Sequence, residues 1–354
     1  MIILFIFTIL VLALWTTTKF GADDLKLNFF VFIYTVVFGT FIIAFNFETP
    51  DYSSYIYIVN EVGSFDDYLS GSTEGLHGDF TFFFLSALSN SMGFEPWFVF
   101  GCIGLISISI VCFVVVKTSP VPALSIFIYL SHSFINKEMI QRRAGLATAF
   151  ALLAIYYLSK NSKVRTTGSL SLMVLSHSSS IFSFAPIVMY KLVSKHKFRL
   201  LALVCLGLSV SFNVMGGFAF ISQLFPSLVP QQVLMYSEWD KYNFEIGIFS
   251  PSVLRAVLIS VLSIVYFHKI KDNAFLTLSF LFYIGATCFL ITFSDLAILA
   301  ARVSSILFCV ECILVPFIMN CFSSKYGYFL AWLYGVLILS NNIILGGLGT
   351  VGIF

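Results

Sequence analysis

The chain has 354 residues, 59% of them hydrophobic and only 10% charged, with a formal charge of +2 and a mean hydropathy of +0.98. A soluble domain carries about 25% charged residues, so a water-soluble globule is excluded and no nucleic-acid partner is expected. The apolar runs recur from Ile2 to Ile353 without the strict alternation of barrel strands, which leaves an all-α polytopic membrane protein.

The first span is expected at about 2–18. No basic residue precedes it and no small-residue cleavage site follows it, so it reads as a retained helix, not a signal peptide. The second is expected at about 27–47. Lys19, Asp23, Asp24 and Lys26 lie between them. Residues 48–79 then carry Glu48, Asp51, Glu61, Asp66, Asp67, Glu74 and Asp79 with no lysine or arginine. The positive-inside rule places Lys19 and Lys26 in the cytoplasm, and this acidic loop and the N-terminus outside.

Residues 80–91 are apolar but too few to cross, so an interfacial or re-entrant helix is expected. Residues 98–116 run inward to Lys117. Pro120 and Pro122 open a short outward span at 123–135, and Lys137 outside is a minor exception to the charge rule. Residues 140–158 return to Lys160, Lys163 and Arg165, which puts Arg142 and Arg143 at the external end of that helix.

Residues 168–192 admit two readings. Lys191, Lys195, Lys197 and Arg199 form a second basic cluster. Both clusters are cytoplasmic only if the segment between them enters and comes back. About 25 residues reach some 37 Å as helix, enough for one crossing and not two. A broken helical hairpin turning at Ser176-His177-Ser178-Ser179-Ser180 satisfies the charge rule. One ordinary span violates it.

Residues 200–215 go out to a second external loop at about 216–250, with Pro226, Pro230, Glu238, Trp239, Asp240, Lys241, Tyr242 and Glu245. Pro251 starts the next span, with Arg255 in its first turn, running in to Lys269 and Lys271. Residues 274–293 go out to Asp295, and 296–319 return with Arg302 in the second turn. Lys325 is inside, and 328–345 go out. The total is about 10 transmembrane helices, plus short elements, in a single integral-membrane domain spanning 1–354. The seven cysteines lie in or beside apolar runs, and Cys309-x-x-Cys312 reads as small apolar side chains in a buried helix.

Arg142 and Arg143, Arg255 and Arg302 lie on three different spans at one external depth. They include every arginine outside the two cytoplasmic clusters. Each alone reads as an interfacial snorkeller. Together they suit a shared anion, because guanidinium grips phosphate or carboxylate in a bidentate fork that lysine lacks. A polyprenyl pyrophosphate fits, with its tail in lipid and its head among clustered cations. Asp51-Tyr52-Ser53-Ser54-Tyr55 offers an acid and aromatics for sugars, with Asp51 and Tyr55 on one helix face; the plainer reading is a solvated helix with interface tyrosines. No Asp-x-Asp motif or His/Cys cluster is visible, so neither a metal nor another cofactor is expected.

Asp51-Tyr52-x-x-Tyr55, Arg143-Ala-Gly-Leu-Ala147, Ser176-His177-Ser178-Ser179 and a late Arg302 resemble, in order, the EpsG family of Wzy-type polymerases of O-antigen, capsule or exopolysaccharide repeat units. The chain departs from the family's usual Glu-Pro-aromatic stretch, where it reads His77-Gly78-Asp79-Phe80; Glu95-Pro96-Trp97 comes later. The resemblance implies joining of undecaprenyl-pyrophosphate-linked oligosaccharides at the outer face of the bacterial cytoplasmic membrane. It implies lipid-linked oligosaccharide and membrane lipids as partners, with a chain-length regulator as a further candidate. Arg142, Arg143, Arg255, Arg302, Tyr52 and Tyr55 are the expected substrate-binding residues. His177 and Asp51 are the two candidate bases. A ligase-type glycosyltransferase or a transporter or flippase of an anionic lipid-linked sugar is the rival reading; the latter should show inverted repeats, and none is visible.

Overall fold

The structure, a computed structural model, describes residues 2–16, 25–47, 49, 51–76, 78–224 and 246–344. Lys19, Asp23, Asp24, Glu48, His77 and the second external loop's Pro226, Pro230, Glu238, Trp239, Asp240, Lys241, Tyr242 and Glu245 lie outside the described residues. Among the described residues all regular structure is helical. Among the described residues, five helical runs are long and apolar enough to cross a membrane: Leu25–Phe45, Pro96–Thr118, Lys195–Val214, Ala274–Thr292 and Leu299–Phe322.

In chain order the α-helices are α1 (Ile2–Thr16), α2 (Leu25–Phe45), α3 (Tyr52–Val62), α4 (Phe65–Leu69), α5 (Phe80–Ser91), α6 (Pro96–Thr118), α7 (Pro122–Tyr129), α8 (Arg142–Ser159), α9 (Lys163–Ser176), α10 (Phe184–Leu192), α11 (Phe198–Val214), α12 (Gly217–Leu224), α13 (Pro251–Val265), α14 (Phe267–Ile270), α15 (Ala274–Thr292), α16 (Ala297–Leu307), α17 (Glu311–Phe322) and α18 (Gly327–Ile344). They pack as two compact units, one of Met1–Ser180 with Glu311–Phe354, the other of Ile181–Val310.

In the first unit α6 packs along α2 and α8, and α8 packs along α9. Small residues let the backbones approach. A Cβ on Gly39 of α2 would stand 2.8 Å from Ile108 Cδ1 of α6, and one on Gly104 of α6 would stand 3.0 Å from Ile43 Cδ1 of α2. In lipid, where apolar burial drives association weakly, such close packing carries the interface. The α7 helix is buried at every position and lies against α1, α17 and α18. The α5 helix has 12 residues, about 18 Å of length, and packs on α3, α4, α6 and α9 without the reach to cross.

Two interruptions shape this unit. After α7 the chain winds as a π-helix over Leu130–Ile140, and Gln141, at φ −102° and ψ 60°, ends that run so that α8 begins at Arg142. The helix at α9 stops at His177, whose backbone is extended at φ −163° and ψ 117°. Serine hydroxyls add bonds to the carbonyls of its last turns: Ser176 Oγ donates to the Leu172 carbonyl at 2.7 Å, and Ser180 Oγ to the Met173 carbonyl at 3.1 Å, which also accepts from the His177 N–H. Short hydroxyl side chains compete with the helix in this way. The expected 168–192 run is interrupted at the expected turn, with 3₁₀ winding over Ser178–Ser183 before α10.

In the second unit α15 is central, packed by α10, α11, α13 and α16. The Ser260 and Thr287 hydroxyls bond at 2.9 Å between α13 and α15. Asn213 of α11 donates to the Ile291 carbonyl at 3.0 Å and to Ser294 Oγ at 2.7 Å. Ser250 caps α13, accepting from the Val253 N–H, and Pro251 occupies its first position, where a missing N–H is harmless.

Candidate functional site

Three elements of the first unit meet on the carboxylate of Asp79. Asp79 stands immediately before α5, with extended backbone at φ −122° and ψ 151°. Its Oδ2 accepts from Arg143 Nη1, in the first turn of α8, at 3.0 Å. The same oxygen lies 3.3 Å from His177 Nδ1 at the end of α9, the long end of the hydrogen-bond range. Its Oδ1 accepts from the Ser178 backbone N–H at 3.1 Å. Ser176 Oγ adds a 3.2 Å bond to Thr81 Oγ1, holding α9 to α5. The three side chains are mostly but not wholly buried, at 9% exposure for Asp79, 14% for Arg143 and 19% for His177.

Burial pushes the Asp79 carboxyl up. The hydrogen bond to His177, the Arg143 charge, the His177 charge and the Ser178 N–H together outweigh it, leaving the group below its ordinary value. Asp79 is thus held as a carboxylate. A His177 that donates Nδ1–H to this carboxylate carries its lone pair on Nε2, the tautomer required of an imidazole base.

The two adjacent arginines face different surroundings. Arg142 is fully buried. Its Cζ lies 3.8 Å from the centre of the Phe100 ring on α6, 5.7 Å from Tyr52 and 5.9 Å from Tyr55. Its Nη2 donates to the Asn46 carbonyl at 2.8 Å, while Nε and Nη1 have no hydrogen-bond partner among the described residues. Arg143 lies 5.8 Å from the Tyr55 ring. Consecutive helix residues point about 100° apart. With Arg142 turned to α6, Arg143 is turned to Asp79.

The expected residues Asp51, Tyr52 and Tyr55 start α3 on the same side. Tyr55 is buried and packs on Phe82 at 5.3 Å and Phe100 at 6.3 Å. Burial pushes its hydroxyl up, the Arg143 charge opposes, and the Asp51 carboxylate adds to the rise. Tyr52 is partly exposed, with its ring 5.8 Å from Phe100. Asp51 occupies the cap position of α3 but its side chain makes no capping bond. Arg255 and Arg302 belong to the second unit. Both are partly exposed, in the second turns of α13 and α16; for Arg255 this is one turn deeper than expected.

Asp79 is the residue that sequence reasoning did not single out. It was one acid among seven between positions 48 and 79. A signal existed: it stands directly before an apolar helix, where a carboxylate is favoured, and in the place of the family's Glu-Pro-aromatic stretch.

The model of the EpsG family matches residues 27–344. Over 244 residues the chain is 28% identical to the amylovoran biosynthesis protein AmsC of Erwinia amylovora, a match that covers 67% of this chain and 64% of that protein. The chain thus spans just under two thirds of this relative's length. No solved structure matches.

Proposed function

The chain belongs to the EpsG family, and from that membership and the Asp79 centre we propose that it is a membrane polysaccharide polymerase, a glycosyltransferase joining undecaprenyl-pyrophosphate-linked repeat units at the outer face of the bacterial cytoplasmic membrane. The relative's part in amylovoran biosynthesis agrees with this reading. The observation that carries it is the convergence of Arg143 and His177 on one carboxylate, Asp79, which pairs a cation with an oriented imidazole.

In the proposed reaction a hydroxyl of one lipid-linked unit attacks the anomeric carbon of the glycan on a second. The new bond joins that carbon to the acceptor oxygen. The bond to the pyrophosphate oxygen breaks, and undecaprenyl pyrophosphate leaves. His177 Nε2 takes the hydroxyl proton, with Asp79 holding Nδ1 and stabilising the imidazolium. This ranks His177 above Asp51 as the base, because Asp79 orients the one and the side chain of the other makes no capping bond. The guanidinium of Arg143, held by Asp79, lends its charge to the leaving pyrophosphate. Tyr52 and Tyr55 line the sugar side. Most of the rate then comes from positioning and from stabilising the charge that develops on a good leaving group.

The proposed topology has about ten crossings, with the Asp79 centre outside and Lys160, Lys163 and Arg165 inside. Residues 168–192 enter and return about His177. Among the described residues five helical runs meet the length requirement for a crossing, and the remaining crossings are made by shorter or interrupted runs shielded by neighbouring helices.

The test is deletion of the gene, followed by electrophoresis of the surface polysaccharide with wild type, Arg143→Ala, His177→Ala and Asp79→Asn as complements. Loss of the ladder with a single repeat unit retained is expected. Loss of all attached glycan would move the assignment to a ligase or flippase, and an intact ladder would end the polysaccharide reading.

A further inference from the structure

Glu138 is buried at 1% exposure in the π-helix, four residues before Arg142. Its Oε2 accepts from Ser107 Oγ of α6 at 2.7 Å. Its Oε1 accepts from the Tyr129 hydroxyl at the end of α7 at 3.1 Å. On its third side it lies against the first turn of α8: a Cβ on Gly145 would stand 2.5 Å from Oε2. One carboxylate therefore joins α6, α7 and α8, and only a glycine at 145 lets α8 come so near.

Ser107 is seven residues, about two turns, beyond Phe100 on α6, so both lie on one face of that helix. Arg142 stacks on Phe100 at one level, and Glu138 bonds Ser107 at the other. Two contacts at separate levels fix the rotation of the start of α8 as well as its distance from α6. Rotation is what aims Arg143, the next residue, at Asp79. The π-helix supplies the register. A π turn holds one residue more than an α turn, and such turns concentrate at functional sites. Here it ends at Gln141, which accepts from the buried Lys137 Nζ at 2.7 Å.

We propose that Glu138 is a positioning residue for the Arg143–Asp79–His177 centre, acting through the rotation of α8 and not through contact with substrate. The proposal rests on the reading of Arg143 given above.

The test is a double-variant cycle in the deletion strain. Polymer formed per unit of membrane protein is measured for Arg143→Lys, Glu138→Gln and the pair, with the melting midpoint of each purified protein in detergent. We expect Arg143→Lys and Glu138→Gln each to lower polymer about tenfold at normal protein levels. The pair should be within about threefold of Arg143→Lys alone, because a misaimed lysine has little left to lose. Simple loss of stability would instead multiply the two effects. Tyr129→Phe, which removes one donor and keeps the carboxylate, should lower polymer in the same non-additive way, and it replaces Glu138→Gln in the cycle if that variant does not accumulate. Multiplicative effects, or full polymer from Glu138→Gln at normal protein level, would overturn the proposal. Full polymer from Arg143→Lys would instead overturn the function reading beneath it.

Discussion

His177 Nδ1 lies 3.3 Å from Oδ2 of Asp79, across 98 residues of sequence. The contact joins the broken end of α9 to the start of α5, and it gives the imidazole a fixed partner and thereby a defined tautomer.

Asp79→Asn keeps the size of the side chain and removes the charge that Arg143 and His177 share. An amide nitrogen turned toward either would also repel it. Polymer formation should fall by about 10²-fold or more, the scale of a general-base contribution, with protein levels close to wild type. A normal ladder at normal protein level would remove Asp79 from the site.

The depressed Asp79 value makes a statement about pH. A carboxyl held below its ordinary value, 3.8, contributes stability that is fully present above that value and is lost as pH falls through the folded-state value. Between pH 5 and pH 3 the wild-type melting midpoint in detergent should therefore drop toward that of Asp79→Asn. Parallel curves over that interval would mean that Asp79 is not held as described.

The adjacent arginines should separate in their effects. Arg142→Ala removes a desolvated cation–π contact worth about 2 kcal/mol and strands the Asn46 carbonyl, at about 1–3 kcal/mol. Its melting midpoint and membrane level should fall. Arg143→Ala should leave the level near normal and abolish the polymer. Equal midpoints for the two variants would contradict the different burial of the two side chains.

The α2–α6 contact provides a test remote from the centre. A Cβ at Gly39 meets the end of the Ile108 side chain, which can turn aside, so Gly39→Ala should be mild. Gly39→Leu adds more volume than rotamer changes absorb and should cost about 1–3 kcal/mol, read as a lower melting midpoint. A neutral Gly39→Leu would mean that α2 and α6 are not in close contact.

Part of this was legible in the residues. The 80–91 helix was expected from an apolar run too short to cross, and α5 has those limits. The break at His177 was expected from charge clusters on both sides of a run too short for two crossings. It occurs among serines whose hydroxyls bond the carbonyls of the last turns, as short hydroxyl side chains do when they compete with a helix. Arg142 and Arg143 were conspicuous, since an arginine beside lipid is costly, roughly 2.5–3.5 kcal/mol at a helix centre. Their difference was not legible. It depends on which face of α8 meets Phe100, and that rotation is set by contacts to other helices.

Composition and run length by themselves determined the class of this protein and its helical character, because lipid penalises unpaired backbone in every fold alike. Only the tertiary structure selected Asp79 from seven acids in its loop and gave Glu138 a place among three helices. Those selections depend on contacts between residues far apart in the chain, Asp79 with His177 and Ser107 with Glu138, and no local property of an aspartate or glutamate records which distant side chain will come to meet it.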